Sequence, residues 1–287
     1  MSRKLRWVAP APLAEPDLSI DPEATTSILE GFIKKEVERT GLRRVVLGLS
    51  GGIDSALAAY LAVRALGRSG VVGVLMPYRT SSPASVRDAE SVVGDLGILA
   101  ERFEISELVD VFASKAGPIG PRRLGNVMAR VRMLVLYDRS AEHDALVLGT
   151  SNKTELLLGY GTIHGDLASA LNPLGDLYKT QVRELARALG VPKAILAKAP
   201  SADLFPAQTD ERDLGLTYDE MDRILALLVD ARVAPGTIVK RGFRRDAVER
   251  LRRLVVRSQF KRKLPVVAKV STRSVGWDFR YPRDWSS

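Results

Sequence analysis

The sequence predicts an α/β fold, a doubly wound parallel sheet with helices on both faces. Three observations carry that expectation. Short apolar runs of strand length recur at Val45-Val46-Leu47, Val71-Val72-Gly73-Val74-Leu75-Met76 and Ala145-Leu146-Val147-Leu148. Segments with helical spacing alternate with them from 43 to 150, the pattern of βαβ units. The first run enters its helix through a glycine turn, Gly48-Leu49-Ser50-Gly51-Gly52-Ile53-Asp54-Ser55.

Residues 1–20 hold three prolines and no period, and read as an extended N-terminal arm. Asp21-Pro22 is a helix start, with a capping carboxylate before a proline at the first helical position. Ile28, Leu29, Phe32, Ile33 and Val37 then share one face until Thr40-Gly41. Beyond the glycine turn, residues 56–63 are helical. The strand at 71–76 ends at Pro77-Tyr78-Arg79-Thr80. Ligands of open parallel sheets bind beyond the carboxyl ends of strands, so Tyr78 and Arg79 are expected to face a nucleotide. A helix over 82–96 stops at Gly97. A short strand is expected over 101–105, a helix over 107–113 and a strongly amphipathic helix over 124–140. The strand at 145–150 leads into Ser151-Asn152-Lys153-Thr154-Glu155. A glycine-rich polar segment, 159–166, precedes a helix carrying Val182, Leu185, Ala186 and Leu189. Thr217 and Glu220 form a capping box for a further helix. Residues 241–263 look helical and basic, with Leu251, Leu254 and Val255 at core spacing. The chain is therefore expected to be one domain over 1–287: the arm, a nucleotide-binding core over 43–205, and C-terminal helices and a tail over 206–287.

Composition narrows the function. The 287 residues are 46% hydrophobic, enough for a sizeable core. No apolar run approaches the ~18 residues of a membrane span, and the N-terminus lacks the apolar stretch of a signal peptide. The expectation is a cytoplasmic protein with no membrane partner. The absence of cysteine excludes disulfides, thiolate metal sites and cysteine nucleophiles. Lys plus Arg outnumber Asp plus Glu 43 to 34, which suits an anionic partner. With aromatics at 6% and no basic run interleaved with them, a solvated arginine-rich surface explains the charge better than nucleic acid does.

The glycine turn has chemistry of its own. Glycines let the backbone approach a ligand closely, and the first N–H groups of the following helix point at an anion. Ser50 and Ser55 add hydroxyls. Asp54 would repel a phosphate unless a cation lay between them, and Mg2+ is the economical choice. No Gly-Lys-Ser/Thr closes the turn, so it is not a Walker A loop.

Ser50-Gly51-Gly52-Ile53-Asp54-Ser55 resembles the pyrophosphate loop of the ATP pyrophosphatases. Further segments follow in register: Asn126-x-x-Ala129-Arg130-x-Arg132-Met133, Gly149-Thr150-x-x-x-x-Glu155, Gly159-Tyr160, Gly165-Asp166, Gly175-Asp176-Leu177-Tyr178-Lys179-Thr180 and Pro200-Ser201-Ala202-Asp203-Leu204. Together they resemble the NAD synthetases over about residues 21 to 265. The resemblance implies a Rossmann-like sheet of the adenine nucleotide α-hydrolase type and a two-step reaction. The carboxylate of nicotinic acid adenine dinucleotide (deamido-NAD) attacks the α-phosphorus of ATP, and ammonia then attacks the acyl-adenylate, giving NAD, AMP and pyrophosphate. It also implies roles. Gly48, Leu49, Ser50, Gly51, Gly52, Ile53, Asp54 and Ser55 hold the ATP phosphates, with Thr150, Lys179 and Ser201 as further ATP contacts, beside Arg79, which its strand end already places at the ATP site. Asp54 and Glu155 ligate Mg2+, and Asp54 and Lys179 serve catalysis. Arg130 binds the deamido-dinucleotide. Positions 163, 170, 260 and 261 belong to the same subsite, but this chain departs from many members there. Ile163 replaces a lysine, Ala170 an aspartate, and Phe260-Lys261 a His-Lys pair. Phe260 can pack or stack but cannot donate a hydrogen bond, whereas Lys261 can keep a role in closing the site. Family members are typically homodimers, and the helix at 124–140, with Val127, Val131, Leu134 and Val135, is expected at the two-fold. Glutamine-using members carry an amidase domain with a catalytic cysteine. Only 47 residues precede the loop here and there is no cysteine, so free ammonia is the expected nitrogen source. Two other readings stay open at this point: a pyrophosphate-loop enzyme acting on tRNA, and a non-enzymatic ATP-binding regulator.

Overall fold

A computed structural model describes residues 16–199, 210–263 and 265–274. Helix α1 (Pro22–Glu38) starts where expected: the Asp21 carboxylate accepts from Glu23 N at 3.0 Å and Ala24 N at 3.1 Å. Four parallel strands follow, β1 (Arg44–Gly48), β2 (Val71–Leu75), β3 (Leu99–Arg102) and β4 (Ala145–Val147), in the order β3-β2-β1-β4. β3 begins two residues before the expected strand. Gly97, in the left-handed region at φ 60°, ends the preceding helix, so Ile98 and Leu99 are already extended.

Side-chain alternation along the strands builds two cores. Val45 and Leu47 of β1 face a cluster with α1, α2 (Ile53–Leu66), α3 (Pro83–Leu96) and α7 (Lys179–Ala188). Val46, with Val72 and Val74 of β2, faces the opposite cluster, which includes residues of α4 (Ser106–Ala116) and α5 (Pro121–Glu142). Burial on both faces is why β1, β2 and β4 read as continuous apolar runs, whereas the edge strand β3 does not. Ala56, Ala58, Ala59 and Ala62 are all buried in α2, so this helix has little bulk to hold it away from the sheet. A third cluster gathers Leu158 of α6 (Lys153–Leu158), Tyr178 and the helices α10 (Tyr218–Leu225), α11 (Pro235–Lys240) and α12 (Arg245–Arg257). The short helices α8 (Lys193–Ala197) and α9 (Asp210–Leu214) complete the order, and a π-helical turn, Ala226–Asp230, continues α10.

The strand order sets the site. From β1 the chain steps outward to β2 and β3, then returns to place β4 on the other side of β1. The winding reverses between β1 and β4, and a crevice opens there beyond the carboxyl ends of those strands. The glycine turn leaves β1, and Thr150 to Glu155 leave β4. Leu148 pairs in parallel with Leu171, so the segment leading to Asn172 continues the sheet beside β4.

Candidate active site

Gly51 sits at φ 72°, and a Cβ there would lie 2.0 Å from the carbonyl oxygen of Ser85. Both the conformation and the close approach of α3 demand glycine. Gly52 caps α2 without a side-chain bond among the described residues, so the first turn of the helix is open to an anion. Ser50 Oγ lies 3.1 Å from Ser55 Oγ and accepts from Gly52 N at 3.2 Å, which fixes the turn. From behind, Lys198 Nζ donates to Gly51 O at 3.3 Å, Ser85 Oγ at 2.9 Å and Asp88 Oδ2 at 2.8 Å. Lys198 thus ties the turn to α3.

Across the crevice Asn152 caps α6 in a capping box: its Oδ1 accepts from Glu155 N at 3.0 Å, while Glu155 Oε2 accepts from Asn152 N at 3.2 Å. The same asparagine donates from Nδ2 to Asp54 Oδ1 at 2.9 Å. One oxygen of each carboxylate is therefore held by Asn152. The other two, Asp54 Oδ2 and Glu155 Oε1, both face Lys179 Nζ, which bonds the first and lies 3.5 Å from the second. Lys179 is 2% exposed. Burial disfavours its charge, but Asp54 and Glu155 outweigh that and hold its pKa above the ordinary lysine value. Burial, reinforced by Asp54, raises the pKa of the Glu155 carboxyl against the pull of Lys179.

A buried carboxylate sets the backbone under this cluster. Asp222 of α10 accepts from Thr154 Oγ1 at 2.5 Å and from Thr180 N at 2.8 Å, and Thr154 Oγ1 in turn accepts from Lys179 N at 3.0 Å. Asp222 so fixes α6 and α7 together, and with them Glu155 and Lys179. Asp210, held by Tyr218 OH at 2.9 Å and Tyr160 OH at 3.1 Å, adds a further negative charge that acts on Lys179.

The donor set fits a hard divalent ion shared with a substrate. Among the described residues no group of three or more His, Cys, Asp or Glu is placed to hold a metal alone. Two carboxylates converging on a buried cation are what Mg2+ uses when substrate phosphates and water complete its octahedron.

Other expected residues lie elsewhere. Arg79 is paired with Asp110 of α4 and half-exposed, and its backbone N donates to Ser106 Oγ at 2.9 Å. Arg130 is exposed on α5. Beside it, Thr162 Oγ1 donates to Asn126 Oδ1 at 2.9 Å, so the loop carrying Ile163 packs on α5. Lys261 Nζ donates to Gly159 O at 2.8 Å and Gly161 O at 2.7 Å, clamping the start of that loop. Gly159 has φ 65°, and a Cβ there would meet Ser258 Cβ at 2.2 Å. Phe260 is 61% exposed, Ala170 is exposed at the sheet edge, and Ser201 lies outside the described residues.

The model of the NAD synthase family matches residues 25–265. The chain belongs to that family. It is 51% identical to the NH(3)-dependent NAD(+) synthetase of Chlorobium phaeobacteroides over 94% of this chain and 97% of that one. Two solved structures resemble this chain. The NH3-dependent NAD synthetase of Campylobacter jejuni matches with TM-score 0.75 and 36% identity, over 88% of this chain and all of that one. The NMN synthetase of Francisella tularensis matches with TM-score 0.78 and 34% identity, over 87% and 99%.

Sequence reasoning missed Asn152, Lys198, Asp210 and Asp222. The Asn-x-x-Glu spacing of a capping box was visible for the first. The other three act through contacts far along the chain, which no local pattern announces.

Proposed function

We propose that this chain catalyses ATP-dependent amidation of deamido-NAD with ammonia, and that it works as a cytoplasmic homodimer requiring Mg2+. The observation that carries the reading is the convergence of Asp54, Glu155 and Lys179 beside the open N-terminus of α2, at the β1/β4 switch point. A carboxylate is a poor acyl donor until its oxygen carries a good leaving group. The glycine turn binds the phosphates that leave as pyrophosphate, through backbone N–H groups and the hydroxyls of Ser50 and Ser55. When bound, Mg2+ would be held by Asp54 and Glu155 and would supply charge neutralisation for the departing pyrophosphate. Lys179 offers a cation that can move from these carboxylates to the phosphates. Arg130, the loop from Gly159 to Ala170, and Phe260-Lys261 form the other side, where the deamido-dinucleotide lies. Of the four α5 positions expected at the two-fold, Val135 is buried and Val127 and Val131 pack against the core over β2, so exposed Leu134, with Tyr137, supplies the apolar face for the two-fold contact.

Mononucleotide acid is the second reading. Ile163 and Ala170 lack the charges many members carry toward the dinucleotide, and one structural neighbour is an NMN synthetase. Pyrophosphate release, measured with ATP alone and with ATP plus deamido-NAD, nicotinic acid mononucleotide or tRNA, separates these readings. Release is expected with deamido-NAD. Release with tRNA, or none with any acceptor, contradicts the proposal, and a higher kcat/KM for the mononucleotide favours the second reading.

A further inference from the structure

The ammonium of Lys179 stands where a cation bridging the two carboxylates would stand. Asp54 Oδ1 and Glu155 Oε2 are already taken by Asn152, and the remaining oxygens converge on Nζ. The backbone of Lys179 is fixed by Thr154, and that of the next residue by Asp222. The side chain is buried, with Nζ 5.3 Å from the centre of the Tyr218 ring. Only the side chain of Lys179 is left to move. Two buried carboxylates without a counter-ion would be strongly destabilising. A divalent ion at the same oxygens would meet the ammonium at contact distance, where repulsion in a partly dry site is several times that in water. One competing anion lies within reach. A polyphosphate seated on the open first turn of α2 is beside Asp54, the residue Lys179 already touches.

We propose that Lys179 is the resident counter-ion of the metal site, which it keeps closed to divalent cations until the triphosphate draws its ammonium away. Metal and nucleotide then enter together. The inference rests on the assignment of Asp54 and Glu155 as metal ligands. It gives Lys179 two positions, on the carboxylates before ATP binds and on the phosphates afterwards, so a purely structural ion pair is the alternative.

Mn2+ serves as the probe, read by the electron paramagnetic resonance of the free ion, without nucleotide. The wild-type enzyme is expected to bind it weakly at this site. Lys179→Met is expected to bind Mn2+ about tenfold tighter or more, because the two carboxylates lose their competing cation. Adding Asp54→Asn to that variant is expected to abolish the gain. Should Lys179→Met fold poorly without metal, Lys179→Gln keeps a hydrogen-bonding group of similar length, and its Tm is expected to rise with Mn2+ while that of the wild type does not. Equal Mn2+ affinity in the wild type and the variant that folds would overturn the role of Lys179. A different result would overturn the ligand assignment itself: binding of Mn2+ together with a non-hydrolysable ATP analogue that Asp54→Asn and Glu155→Gln leave unchanged.

Discussion

The two sides of the crevice are built differently. On the phosphate side nearly every polar group is tied down: Asn152 holds both carboxylates, Asp222 fixes the backbones of α6 and α7, and Lys198 braces the glycine turn. On the side proposed for the dinucleotide the expected contacts are less tied down. Arg130, Ala170 and Phe260 are exposed, and Lys261 is spent on the carbonyls of Gly159 and Gly161. One chain thus completes the side proposed for the phosphates, and leaves open the side proposed for the acyl substrate. Electrostatic stabilisation of a leaving group depends on fixed charges, so rigidity belongs where the charge develops. Recognition can wait for the substrate, or for a second subunit.

Substitutions on the phosphate side should therefore act on kcat, and those on the dinucleotide side on KM. The largest expected effect is at the carboxylates. Asp54→Asn and Glu155→Gln should each lower the adenylation rate by about a hundredfold or more, followed by pyrophosphate release at saturating Mg2+. Wild-type rates in either variant would remove the carboxylates from the mechanism. Next comes Asp222→Asn, which loses charge-assisted bonds to Thr154 and Thr180 N. It should destabilise the fold by about 1–3 kcal/mol in urea titration and reduce kcat more than it raises KM. An unchanged Tm and kcat would mean that α6 and α7 are held without it.

On the open side, Arg130→Ala should raise KM for deamido-NAD about tenfold, with kcat at saturation little changed. A fall in kcat with constant KM would place Arg130 on the phosphate side instead. Leu134→Asp should shift the proposed dimer toward monomer, because a charge at an isologous apolar contact occurs twice. Light scattering at micromolar concentration checks this, and a variant that stays fully dimeric would move the interface off α5. The smallest effect is expected at Phe260→Ala, within about threefold in KM, since its ring is exposed and offers no hydrogen bond.

The same contrast explains what the sequence made legible. The β1–α2 turn is local: strand, glycines, hydroxyls and the acid lie within twelve residues, and the structure keeps them in that arrangement. The doubly wound sheet followed from apolar runs buried on both faces. Glu155 and Lys179 were reached through resemblance, because Lys179 meets Asp54 across 125 residues and Glu155 is tied to Asp54 through Asn152, which pairs with it across 98. Helix α6 escaped notice since six residues carry too little periodicity, although its Asn-x-x-Glu cap was there to see. Asp222 looked like one more polar position of an amphipathic helix, and only packing shows that it is buried. The orientation of Arg79 was set by a partner, Asp110, that strand-end reasoning could not weigh.

The nitrogen source tests the central claim most directly. Purified protein would be given deamido-NAD, ATP and Mg2+, with either ammonium chloride or ammonia-free glutamine, and NAD formation followed. With no cysteine in the chain, no thiolate can attack a glutamine amide. NAD should form with ammonium, faster as pH rises at fixed total ammonium, because only unprotonated ammonia has a lone pair for the acyl carbon. Glutamine should give none. Comparable turnover with glutamine, or no NAD from deamido-NAD with ammonium, would contradict the account.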